Sequence, residues 1–327
     1  MASLLWWFPL GGFSSEYLLG WIVCMVAAYV VSEIESVNQL LRVTSRMIES
    51  LLLLMMAACG FLHPLQTSSL TLLAVALMFY CLLRSCGSRS PQVDTLHAYF
   101  FLSLGSLFWP PLLLLIPVVL WSQFVYLRVR GWQILGAAVC GLLVPFLFWA
   151  AALLYLHREA TLVTYLHQIV APCFAPFYWQ WVIDLAQSAD WHEFWNQFPT
   201  LLAQRVRSHP TESAALAYVS LLGLTGFVHY VRQNYDDKIR VRMCHYCFLF
   251  MQLFVALWLV LQPYCFRQLF PLLMLTTVPS AAHFFTFTHT WLTNCWFVLL
   301  MLALVALGMC TLFPFFQLQS ISVHLPL

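Results

Sequence analysis

Arg205, Arg207 and His209 place three basic side chains close together, and guanidinium forks match the oxygens of a phosphate. Upstream, Asp184, Asp190 and Glu193 supply carboxylates of the kind that act as a general base or hold a divalent cation. Trp191 and Trp195 would lie against the apolar part of an amphiphile. Asp184 and Glu193 are therefore the catalytic candidates. Arg205, Arg207, His209, Trp191 and Trp195 are the ligand-binding ones. The same residues also fit a helix that simply rests on a membrane with its polar face in water.

These residues belong to His157–Glu212, which carries five acids and four histidines in a chain otherwise made of apolar stretches. Trp191, Phe194, Trp195, Phe198, Leu201, Leu202 and Val206 recur at three- and four-residue spacing, with His192, Glu193, Asn196, Gln197, Gln204 and Arg205 opposite. The spacing predicts an amphipathic interfacial helix, bent or started near Pro199. Phe177–Trp181 suits the same depth. Thr161–Ala171, apolar around His167, either dips into the bilayer or packs on the spans.

The rest of the chain must position this segment. Of 327 residues, 62% are hydrophobic and only 8% charged, whereas soluble domains carry roughly 25% charged residues. The expected class is an all-α polytopic membrane protein, a single integral membrane domain over residues 1–327. Ten spans are predicted, near 17–31, 47–62, 69–83, 96–109, 112–127, 133–156, 214–231, 243–261, 269–285 and 294–313. Ser32–Arg46 reads as an amphipathic helix between the first two, and Met1–Ser15 as an interfacial lead-in. With no Lys or Arg before Arg42, a cleavable signal peptide is not expected. Ten of the 14 Lys and Arg fall in odd-numbered loops and four in even-numbered ones. The positive-inside rule then puts residues 157–213 outside the cytoplasm, as an extracytoplasmic loop holding interfacial helices.

Other polar clusters are weaker. Cys244-His-Tyr-Cys247 lacks the second ligand pair of a zinc site, with His229 the only nearby addition. Eleven dispersed cysteines read as apolar packing residues. Glu35, Arg42, Arg46 and Glu49 could share a helix face and pair. Asn234–Lys238, with adjacent Asp236 and Asp237, reads as a solvated turn. His283, His289 and Asn294 suit helix-to-helix hydrogen bonds. No Walker A, HExxH or GxSxG motif is present, no span carries a central acid, and no basic run points to nucleic acid. No metal set emerges, and no cofactor is named.

Phe100–Arg130 and Gly131–Ala150, with the run Gly105-Ser-Leu-Phe, a short arginine loop, then Gly141 and Pro145, resemble an uncharacterised family of polytopic inner-membrane proteins of Bacteroidota. The closing AHFFTFTHTWLTNCWF segment fits the same likeness. More distantly, many spans around a long loop resemble GT-C glycosyltransferases and O-antigen polymerases or ligases. GT-C enzymes keep a catalytic acid in the first outer loop, whereas Glu33 and Glu35 here fall on the arginine-rich side. The resemblance implies a bacterial inner-membrane protein that binds or processes a lipid-linked glycan at the outer leaflet, with a polyprenyl-phosphate-linked substrate. A non-enzymatic subunit of an envelope complex and a small-molecule transporter are the alternatives. Catalysis and simple binding both fit.

Overall fold

Lipid offers no partner to a free N–H or C=O, so each apolar stretch must close its own hydrogen bonds as a helix. The computed structural model describes residues 15–41, 43, 45–156, 161, 164–165, 209–261, 265–287 and 291–312. Among them the helices are α1 (Ser15–Asn38), α2 (Met47–Ala58), α3 (Thr67–Ser85), α4 (Pro91–Phe108), α5 (Ile116–Trp121), α6 (Trp132–Tyr155), α7 (Pro210–Gln233), α8 (Ile239–Leu261), α9 (Phe266–Phe287) and α10 (Trp291–Leu312). Each falls on one of the ten predicted spans. Seven are long and apolar enough to cross a membrane, and the chain is an integral, multi-pass membrane protein.

The shorter helices are extended by tighter or wider turns. α2 has 12 residues, and the 3-10 turn Gly60–Leu62 carries the chain on until Leu65 N donates to Glu16 O (3.0 Å) at the start of α1. Pro110–Leu115 enters α5 as a 3-10 segment, and Ser122–Tyr126 leaves it as a π turn. That π turn is fixed by buried polar bonds. Tyr99 Oη donates to Gln123 Oε1 (3.1 Å), and Gln123 Nε2 donates to Thr95 Oγ1 (2.8 Å).

Contacts between elements sort the bundle into two ends. One end joins Asn38 to Arg240 (3.2 Å) and Gln92 to Gln133 (2.9 Å). The other stacks Trp109 on Trp258 and pairs Glu212 with Arg267 (3.2 Å). Arg46, Arg84, Arg89, Arg128, Arg130, Arg232, Lys238, Arg240 and Arg242 all belong to turns and helix ends of the first, which we call the basic end.

α9 is the axle: nearly all of its residues are buried. Small residues of α7 let it come close. A Cβ on Gly226 would stand 2.8 Å from the Ala281 nitrogen, and one on Gly223 would collide with the Gln252 amide. Pro271 and Pro279 interrupt the α9 ladder, while Thr276 and Ser280 bond carbonyls of the preceding turn (3.0 and 2.9 Å). At the periphery, α6 turns Leu147 and Phe148 outward (63% and 76% exposed), as a lipid-facing helix does. It is tied to α4 by Ser103 Oγ donating to Leu142 O (2.8 Å).

Two expectations change, and a third narrows. Ser32–Asn38 is not a separate amphipathic helix but the last turns of α1. Gln39, at φ 51°, ends that helix in the left-handed conformation, so Glu35 and Arg46 lie on different elements. Pro210–Ser213, expected in the long loop, already begin α7. Of Thr161–Ala171, Tyr165 packs on the spans, donating to Ser106 O (2.8 Å) beside Trp149.

Because backbone meets backbone at Gly226, Gly226→Ala should cost about 1–3 kcal/mol through overpacking. Gly136→Ala, where a Cβ meets nothing within 4 Å, should leave the unfolding temperature in detergent unchanged. Equal behaviour of the two variants would contradict the packing described.

Candidate functional site

At the basic end, α1 stops and the chain turns beneath the α7–α8 connection. Asn38 Nδ2 donates to Ile34 O (3.0 Å) and Gln39 N to Glu35 O (2.7 Å), closing the last turn of α1. Leu40 and Leu41 then sink into the core. A cavity of about 780 Å³ opens here, lined by Ser32, Glu35, Ser36, Gln39, Ser45 and Arg46 on one side and by Asp237, Lys238 and Val241 on the other. Glu35, Arg46 and Lys238 thus share a chamber with three hydroxyls and with the apolar Leu41, Val43 and Val241, and Asp237 is buried at its wall.

The α7–α8 connection is a single 3-10 turn, Asn234–Asp236. Asp237 N donates to Asn234 O (3.1 Å), and Asn234 Nδ2 donates to Tyr246 Oη (2.6 Å). The turn tucks Asp237 inward until its side chain is 1% exposed, with Oδ2 3.6 Å from His283 Nε2, itself equally buried. At this distance the two form an ion pair whenever the imidazole is protonated.

Behind His283 lie further polar rings from two helices, α7 and α8. His229 and His245 stand 5.5 and 5.7 Å from it, centroid to centroid, and Tyr230 stands 5.0 Å away. Tyr230 stacks on His245 at 4.3 Å. His245 Nε2 lies 3.1 Å from Leu40 O. A carbonyl only accepts, so Nε2 carries the hydrogen. His245 Nδ1, His229 Nδ1 and Tyr230 Oη have no hydrogen-bond partner among the described residues. Buried polar atoms left in this way are the places where water or a ligand group is expected. Chemically, the arrangement brings a carboxylate at a cavity wall into contact with an imidazole, which can exchange protons with it.

The sequence reading missed Asp237. Adjacent acids in a short, charged turn look solvated, and the inward tuck depends on Asn234 and Tyr246. His283 was singled out as an intramembrane polar group; its contacts include a loop carboxylate rather than helix-to-helix partners alone. In Cys244-His-Tyr-Cys247, both cysteines are buried and free, and the residue of interest is the histidine between them. Among the described residues, no group of three or more His, Cys, Asp or Glu is placed to hold a metal ion. Arg46 reaches Glu49 at 3.7 Å while largely exposed. Asn294 is exposed on α10, and His289 lies outside the described residues.

Asp184, Glu193, Trp191, Trp195, Arg205 and Arg207 lie outside the described residues. His209 is described. It precedes α7 at the opposite end, exposed, with Nδ1 4.0 Å from Glu212 Oε2. Arg267 holds the other oxygen of that carboxylate at 3.2 Å. Comparison with known protein families, curated proteins and solved structures finds no match to this chain.

Removing one member of a buried polar pair strands the other. Asp237→Ala should therefore lower stability by about 1–3 kcal/mol, seen as a fall in unfolding temperature in detergent. Adding His283→Phe should recover part of that loss. A double variant as unstable as the sum of the single variants would mean the two side chains are not coupled.

Proposed function

We propose that this chain is a membrane carrier for a small zwitterionic solute, admitted at the basic end and coupled to proton exchange on Asp237 and His283. One observation carries the reading: a carboxylate that lines the cavity is buried against a histidine of the central helix. Ionisable side chains within the spanning part of a membrane protein are costly and mark solute or proton pathways. The cavity volume of about 780 Å³ suits a small molecule. Its lining supplies Arg46 and Lys238 for a carboxylate or phosphate, and Glu35 for an ammonium. The unsatisfied atoms of His229, His245 and Tyr230 give a proton somewhere to go beyond His283.

By the positive-inside rule the basic end faces the cytoplasm, and residues 157–208 connect on the far side. Placement in a bacterial inner membrane follows from the family likeness alone. Processing of a polyprenyl-phosphate-linked glycan by Asp184, Glu193, Arg205 and Arg207 is a separate proposal, resting on those sequence motifs.

The carrier reading is tested in proteoliposomes loaded with a pH-sensitive dye and challenged with a panel of amino acids. At least one zwitterion should change internal pH in the wild type. Asp237→Asn and His283→Gln should each reduce the response at least tenfold, about the effect of losing one positioned proton-transfer group. A dye signal equal to that of empty liposomes for every solute counts against it. Orientation has its own test: with native cysteines removed, a cysteine at Ser208 should react with a membrane-impermeant reagent in intact cells, and one at Ser90 should not. The reverse pattern would turn the molecule over.

A further inference from the structure

A second cavity at the basic end shares no residue with the first. It measures about 610 Å³ and lies between the α3–α4 turn and the turn Arg128–Gly131 that leads into α6. Its polar lining includes Ser88, Gln92, Arg128, Arg130 and Gln133, with no carboxylate. The acid on the first turn of α4, Asp94, is held by Arg84 at 3.4 Å. Arg130 is anchored by Nε donating to Phe124 O (2.9 Å), which uses one of its five N–H donors. The chamber therefore suits an anion. A zwitterion would bring its cation to two arginines with no acid to receive it.

The wall that descends from the mouth of this chamber is apolar. Trp132 stands at the rim, 88% exposed, where an indole sits well at headgroup depth. Below it on α6, Val139, Leu143 and Leu147 follow at seven- and four-residue spacing, each at least half exposed. They form one outward stripe continuous with the rim. Guanidinium groups at headgroup level, an interfacial tryptophan and an apolar stripe beneath are arranged in the order of a phospholipid's own parts.

We propose that this cavity binds an anionic glycerophospholipid, its phosphate held by Arg128 and Arg130 and an acyl chain lying along Val139, Leu143 and Leu147. The site is independent of the solute cavity and of the carrier reading. It would fix α6, a lipid-exposed helix at the edge of the bundle, against the α3–α4 turn.

Native mass spectrometry of the delipidated full chain in detergent tests this, with phosphatidylglycerol and phosphatidylcholine of identical chains as probes. Two juxtamembrane arginines should favour the anionic lipid by about thirtyfold for the first molecule bound. Arg128→Gln with Arg130→Gln should bring the two lipids to parity, and excess inorganic phosphate should not displace the bound lipid. Retained preference in the double variant overturns the proposal. So does displacement by phosphate, which would mark a site for the free anion. Should the double variant fail to fold, the difference in fluorescence between wild type and Trp132→Phe isolates Trp132. Brominated phosphatidylglycerol should quench that component more than brominated phosphatidylcholine, and equal quenching overturns the assignment.

Discussion

A helix buried on every side has to satisfy two demands at once: its backbone must be bonded internally, and its neighbours must be thin enough to reach it. α9 carries both burdens. Two prolines weaken its ladder, and serine and threonine hydroxyls bond back to its carbonyls. Gly223 and Gly226 of α7 remove the side chains that would hold it off. From this close approach follows the position of His283 near the C-terminal end of α9, level with His229 and Tyr230 near the end of α7 and His245 on α8. The polar cluster is thus a product of how tightly the axle is gripped.

Burying Asp237 has a cost. A carboxylate in a low-dielectric interior loses solvation that an ion pair restores only with good geometry and further hydrogen bonds. The 3.6 Å separation from His283 is longer than a strong charge-assisted hydrogen bond. An apolar pair of similar volume would hold α9 and the α7–α8 turn together at least as well. The polar pair is therefore poorly explained by stability, and its contact with a cavity fits a role in moving charge.

Much of the architecture was legible because lipid simplifies the code: long apolar runs with few charges become helices, and arginines gather at one end. Even residues 112–127 read as a span, although the structure there combines a 3-10 segment, a short α-helix and a π turn. The site was far less legible. Asp237 looked solvated because its neighbours Asp236 and Lys238 are charged. The turn that carries it inward is held by the hydrogen bonds from Asp237 N to Asn234 O and from Asn234 to Tyr246, and nothing in periodicity reports a bond between residues 12 apart. Gln39 hid the end of α1 for a similar reason: its left-handed backbone is a conformation glutamine seldom adopts. Glu35 and Arg46, which share a register on paper, then part onto separate elements yet line the same cavity.

Arg240 links the two cavities. Its Nη2 donates to Asn38 Oδ1 (3.2 Å) at the end of α1, beside the solute cavity. Its Nη1 would lie 3.4 Å from a Cβ on Gly87, which lines the other. Gly87, at φ 98°, adopts a backbone that other residues rarely take and leaves the guanidinium room. Arg240 itself stands near the start of α8, the helix that also carries His245. A shift of the end of α1 on solute binding would strain this bond, and the α3–α4 turn is the next thing the guanidinium meets. Spatial intermediacy does not establish coupling; a discrete element that both sites bias does. The end of α1 is tied to Arg240 through Asn38, while Glu35 and Gln39 line the first cavity; no residue of α1 lines the second, which leaves the two sites independent.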